Sequence, residues 1–227
     1  MVVASSAVID VAVAGDIRKL TRMLKGKEHV VRKTANAMDS VHRTALNWAC
    51  AHGRTSCAEL LLEKGADPNL ADKFGYTALH EASNFCHLGC VKLLLENRAN
   101  PNAANRMGET PLHLACQKDP KVTALLLKHR AAQYLYCMRG LPIHVACHFG
   151  DAPCVKELLR AANDRDLDLA EFARWKGMTA WQYAQYEQTE EHEACCRALE
   201  KVLPNTPNVG SAIKGSTAAK GRYAEFD

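Results

Sequence analysis

The stretch Thr77-Ala78-Leu79-His80-Glu81-Ala82, followed after a short break by Val91-Lys92-Leu93-Leu94-Leu95-Glu96-Asn97-Arg98-Ala99-Asn100-Pro101-Asn102, decides the fold. Its first part reads as a short helix opened by a capping threonine. Its second part reads as a longer helix with a leucine core, closed by an asparagine–proline turn. The same text recurs 33 residues upstream and 33 downstream, with Thr44, Thr77 and Thr110 opening three copies. Gly75-x-Thr77 is echoed by Gly108-x-Thr110, and Leu60–Leu62 by Leu93–Leu95, Leu125–Leu127 and Leu158–Leu159. Each helix pair carries one apolar stripe too narrow to form a core alone. Stacking neighbouring pairs buries it.

Working outward, residues 1–38 read as an N-terminal capping half-repeat and a linker. Within them Asp16 is an N-cap, Leu20, Met23 and Leu24 supply the apolar spacing, and 28–38 carry no repeat. Repeats follow over 39–202, about five in number. In the first, Ser56 with Glu59 forms a capping box on the second helix. The third is one residue short between its helices, where Asp119-Pro120 still starts a helix well. The fourth, Leu141-Pro142-Ile143-His144-Val145-Ala146, lacks the capping threonine, and a weaker helix start is expected. Asp151 and Pro153 open its second helix, and an insertion falls at 165–173. The fifth has Thr179-Ala180-Trp181-Gln182-Tyr183-Ala184 and a charged helix capped by Thr189. Residues 203–227 are Pro-, Asn-, Gly-, Ser-, Ala- and Lys-rich and are expected to be extended or disordered alone.

The 33-residue period carrying Thr-Ala/Pro-Leu-His-x-Ala resembles the ankyrin repeat. The resemblance covers most of the chain. It implies an all-α solenoid of stacked helix-turn-helix units joined by hairpin-like loops. It also implies that His80, His113 and His144 hydrogen-bond nearby backbone and fix the turns, with Asn47 and Gln182 replacing them at the ends. Catalysis by these histidines is therefore not expected. The resemblance further places the binding surface on the concave face, at the hairpin tips and the ends of the first helices.

In this sequence those positions are Arg43 and His52; Lys73, Phe74, Tyr76 and Phe85; Arg106, Met107 and Lys118; Met138, Arg139 and Phe149; and Trp175, Lys176 and Tyr186. Val41, His148 and Met178 lie in the same row, and Glu109 is its only acid. Exposed aromatic and arginine side chains are what binding hot spots use. A third to a half of these aromatics are expected to pack on neighbouring hairpins instead.

Ten cysteines fall largely in repeat columns. Cys50, Cys116 and Cys147 form one, and Cys57, Cys90 and Cys154 a second, so they read as small buried hydrophobes in a reducing compartment. Cys86-His87-x-x-Cys90 has ligand-like spacing, but Cys90 should point into the core and a fourth ligand is missing, so no metal is expected. No motif surrounds any cysteine–histidine pair, and neither a cofactor nor enzyme activity is expected.

No segment reaches the roughly 18 apolar residues of a membrane span. The net charge of +4, with 24% charged residues, gives little counterion-release energy toward nucleic acid. The expected function is a non-enzymatic interaction module, as in small all-ankyrin adaptors and chaperones. It would bind an acidic, partly apolar partner segment and reside in the cytoplasm. The alternative is a permanent subunit of a large assembly, cytoskeletal or ciliary, anchored by residues 203–227.

Overall fold

The computed structural model describes residues 2–163, 178–186 and 189–203, with the side chains of all of these except 2–6 and 186. Thirteen helices and no strand occur among the described residues. They run as α1 (Val2–Ala14), α2 (Ile17–Met23), α3 (Glu28–Ala35), α4 (Ala45–Ala51), α5 (Thr55–Glu63), α6 (Ala78–Asn84), α7 (Leu88–Glu96), α8 (Pro111–Ala115), α9 (Pro120–Lys128), α10 (Pro142–His148), α11 (Ala152–Ala161), α12 (Ala180–Tyr186) and α13 (Glu190–Glu200). No described helix is long and apolar enough to cross a membrane.

The helices sort into two layers. The first helices α1, α4, α6, α8, α10 and α12 pack side by side, each on the next. The second helices α2, α5, α7, α9, α11 and α13 do the same behind them. Leu20, Leu46, Leu61, Leu79, Leu94, Leu112, Leu126, Leu158 and Leu199 are fully buried between the layers. This is the stacked solenoid that the period implies.

Local chemistry starts these helices as expected. Thr44 accepts from the backbone N–H of Asn47, and Thr77 from that of His80. Asp16, Asp119 and Asp151 accept from the amides of Lys19, Lys121 and Cys154, and Thr189 accepts from that of His192. At α10 Leu141 offers no side-chain cap. Even so, the Leu141 N–H donates to Nδ1 of His144 at 3.3 Å, and α10 runs for seven residues, as long as α6. Pro142, with φ pre-set for a first turn, makes up for the missing hydroxyl.

Side chains also tie each repeat to the next. Asn36, Asn69 and Asn102, spaced by 33, donate to the carbonyls of Gly65, Arg98 and Arg130 and accept from the amides of Asp67, Asn100 and Ala132. Arg54, His87, Lys118 and His192 reach the carbonyls of Val13, Ala51, Asn84 and His148, near or at the C-terminal end of the preceding first helix. These carbonyls have no partner within their own helix, and the next repeat supplies one.

Two further expectations are corrected. Residues 28–35 are not linker but helix α3, which packs on α1. Val31 and Ala35, one turn apart, are both buried, and Glu28 and Arg32-Lys33 suit the two ends of the helix dipole. The repeat pattern does not call for a helix there, so only this short amphipathic spacing could have found it.

Ser56 and Glu59 form no capping box. Helix α5 starts two residues earlier, after Arg54, with no side-chain cap. Arg54 is held by the Val13 carbonyl, and the Thr55 hydroxyl lies 3.4 Å from the Cys90 sulfur. The fourth hairpin is also one residue shorter than the others, closing between Cys137 and Gly140 where the third closes between Asn105 and Glu109. The insertion at 165–173 and the segment beyond Leu203 lie outside the described residues, whereas Leu203 itself is buried in the core.

Candidate functional site

Among the described residues four hairpins project from the layer of first helices. One side chain organises each. Asp39 Oδ1 accepts from the amides of Val41 and Arg43, and Asp72 Oδ1 from those of Phe74 and Tyr76. Asn105 Oδ1 accepts from those of Met107 and Glu109. In the short fourth hairpin the Cys137 sulfur takes the amide of Arg139 at 3.2 Å. The third residue past the carboxamide or carboxylate has φ > 0. His42, Gly75 and Gly108 sit there, at 66°, 86° and 77°. At Gly75 an added Cβ would come within 2.8 Å of the Asn105 backbone, so only glycine lets the second hairpin approach the third this closely.

The tips are bonded into one row. The amide of Lys73 donates to the Val41 carbonyl at 3.0 Å, that of Arg106 to Phe74 at 2.9 Å, and that of Met138 to Met107 at 3.0 Å. Behind the tips, His80 Nδ1 accepts from the Thr77 amide, which leaves the proton on Nε2 to donate to the Glu109 carbonyl at 3.0 Å. His113 repeats this with the Gly140 carbonyl at 3.2 Å. Asn47 does the same work with its amide group, toward the Tyr76 carbonyl. Burial pushes the His80 imidazole down, and that of His113 down to about 4. Both rings are neutral structural hydrogen-bonders, as the family resemblance implies.

On this rigid row Phe74, Met107 and Met138 are exposed, at 55%, 42% and 72% of their surface. Phe85 and Phe149, at the C-caps of α6 and α10, are also exposed, as is His52 at the C-cap of α4. Lys73 and Arg106 point their charges to solvent, and neither side chain makes a hydrogen bond or ion pair among the described residues.

Other expected contact residues belong partly to the scaffold. The Arg43 guanidinium lies 3.9 Å over the Trp48 ring and 3.2 Å from Asp39, which also accepts from the Trp48 indole. His52 stacks on Trp48 and bonds its carbonyl. The Tyr76 hydroxyl donates to Glu109, Arg139 pairs with Glu109 at 3.8 Å, and Lys118 docks on Asn84. Trp175 and Lys176 lie outside the described residues, and so does the side chain of Tyr186.

Glu109 is not an acid of the binding face. It is 2% exposed, held by Asn105, Tyr76 and Arg139. Met178 is buried as well. An acid whose charge is felt among the groups of this side is Glu81, half-buried on α6. Asp72, Arg43 and His52 act on its charge, and burial pushes its carboxyl upward. Sequence reading missed it because it sits inside the repeat motif, where position signals scaffold. Its signal was a charged residue in a column otherwise filled by Trp48, Leu114, Val145 and Tyr183.

The cysteine columns are buried. Burial raises the Cys116 and Cys147 thiols well above the usual range. A hydrogen bond between Cys50 and Cys90 raises the first and lowers the second to about 7. Cys90 is fully buried, and the His87 ring is engaged by the Ala51 carbonyl, so the ligand-like spacing does not converge. Among the described residues no three His, Cys, Asp or Glu side chains gather as a metal site.

A family model for ankyrin repeats in three copies matches residues 64–137, and a single-repeat model matches residues 42–73 and 141–169. Together these cover more than half of the 227 residues. No curated protein matches the chain significantly. The stacked helix pairs, the bonded hairpin row and these matches agree: the chain belongs to the ankyrin-repeat proteins, whose repeats mediate protein–protein interactions.

Proposed function

We propose that this chain is a non-enzymatic adaptor or chaperone that grips another protein with the row of hairpin tips and the exposed ends of its first helices. The observation that carries this reading is the bonded row itself. It holds Phe74, Met107 and Met138 in water beside the unpaired cations of Lys73 and Arg106. Leaving such side chains exposed has no folding benefit, whereas aromatic and methionine anchors on a preorganised frame are what a hot spot needs. The two cations favour a segment that is acidic as well as partly apolar. The ten thiols are free and all but Cys86 and Cys137 are buried, which suits a reducing compartment, and we place the protein in the cytoplasm.

The test reverses charge at Lys73 and Arg106 and changes Phe74 and Phe149 to alanine, then compares partners by affinity purification. Loss of a wild-type partner is expected. An interactome that does not change would overturn the reading. Stopping the chain after Leu203 distinguishes an adaptor, which keeps its affinity, from a subunit anchored by the segment beyond, which fails to incorporate.

A further inference from the structure

The first helices α4, α6, α8, α10 and α12 keep one rule at the fourth residue past the position that opens each. Leu114, Val145 and Tyr183 stand there, all buried, and Trp48 stands there packed against the core. Glu81 breaks the rule. It is a carboxylate, half-buried, and among the described residues it accepts no hydrogen bond and forms no ion pair.

Its surroundings do not neutralise it. Arg43 is the cation that acts on it most, but that guanidinium is already held by Asp39 and by the Trp48 ring. The His52 ring is stacked on Trp48 and bonded to the Trp48 carbonyl. On the other side Asp72 adds negative charge. A partly desolvated carboxylate beside a like charge costs stability that leucine or valine at the same position would not. Rules of a repeat that are broken without local compensation mark function.

We propose that Glu81 is a specificity-determining residue of the binding face and pairs with a lysine or arginine carried by the bound segment. This rests on the reading of the hairpin row as a binding surface, and it names the partner's chemistry more closely. Glu81 sits in the first turn of α6, directly after the second hairpin whose tip carries Lys73 and Phe74, and feels the charge of Arg43 in the first hairpin. The segment is therefore of mixed charge. Its acid meets Lys73 and Arg106, its apolar side chain covers Phe74 and Met107, and its cation enters beside Glu81. Docking a cation there supplies the counter-charge that the fold withholds, in a site drier than the open surface.

The probe is a library of random displayed 12-residue peptides selected on the full chain. Wild type, Glu81→Gln, Glu81→Leu and the double variant Lys73→Glu/Arg106→Glu are compared. Peptides selected by the wild type should carry Lys or Arg at a fixed spacing from an acidic residue. Their affinity should fall about tenfold or more for Glu81→Gln, a loss in dissociation rate of the kind that follows removal of one partner of a desolvated pair. Glu81→Leu should melt at a higher temperature than the wild type and select peptides without the cation. If wild-type peptides show no enriched cation, or bind Glu81→Gln equally well while losing affinity for the double variant, the role of Glu81 is overturned and the binding face stands. If no peptide is selected, or the double variant loses nothing, the binding face falls and this inference with it.

Discussion

His113 sits where two repeats meet, and its ring is a joint. Nδ1 takes the Thr110 amide and Nε2–H gives to the Gly140 carbonyl of the next hairpin. The ring is buried, and burial holds its pKa at about 4, below the ordinary 6.5 of the unfolded chain. Above pH 6.5 both states are neutral at this group and it has no effect on the pH dependence. Between 6.5 and 4 the unfolded chain takes up a proton that the folded chain refuses. Stability therefore falls with pH through this window and levels off below it, by about 3 kcal/mol at most for one such shift. His80 is pushed in the same direction for the same reason. The first repeat shows how to remove the effect, since Asn47 makes the corresponding bonds without titrating. In urea unfolding at pH 7.5 and pH 5, the wild type should lose stability on acidification, and His113→Asn should lose less. Equal losses would show that His113 does not carry the pH dependence.

The hairpins show what was legible in the sequence and what was not. The glycine–x–threonine signature announces the second and third hairpins, so Lys73, Phe74, Arg106 and Met107 were placed correctly at the tips. The acceptor at the base of each hairpin was not recognised: Asp39, Asp72 and Asn105 keep the period of 33, but Cys137 joins them only once the fourth hairpin is known to be one residue short. Burial of Glu109 was also beyond sequence reading. Its position is an exposed one by analogy, and only the convergence of Asn105, Tyr76 and Arg139 shows that its charge is used inside. Helix α3 escaped for a related reason, being an addition to the repeat rather than a copy of one.

The weak member of this column is Cys137, whose sulfur is a poor acceptor for the Arg139 amide. Asparagine there restores the bond made by Asn105, and it avoids placing a second carboxylate near Glu109. Cys137→Asn should stabilise the protein by about 0.5–1 kcal/mol and slow exchange of the Arg139 amide. Unaltered exchange at Arg139 would mean that the hairpin is set by the two reciprocal backbone bonds between Cys137 and Gly140.

At the scale of the molecule, the helices touch only their neighbours in the row, so stability is passed along one dimension. Leu94 lies in α7, with repeats on both sides, and Leu20 lies in α2 at the N-terminal end; both are fully buried. Truncating either to alanine empties a fully buried site and costs about 2–5 kcal/mol locally. The consequences should differ in reach. Loss at Leu20 loosens α1–α3, which among the described residues pack on a repeat at one side, and leaves the rest of the stack bridged. Loss at Leu94 weakens the interfaces of α7 with both α5 and α9 and so uncouples the two halves. Native-state hydrogen exchange reads this directly. In Leu20→Ala, faster exchange should be confined to α1–α3 and the first hairpin. In Leu94→Ala it should spread to α5 and α9 together, with the amides of Leu61 and Leu126 both less protected. If both variants sped exchange uniformly over all the helices, the chain would unfold as one cooperative body. The hairpin row would then owe its rigidity to the whole stack rather than to the bonds between adjacent tips.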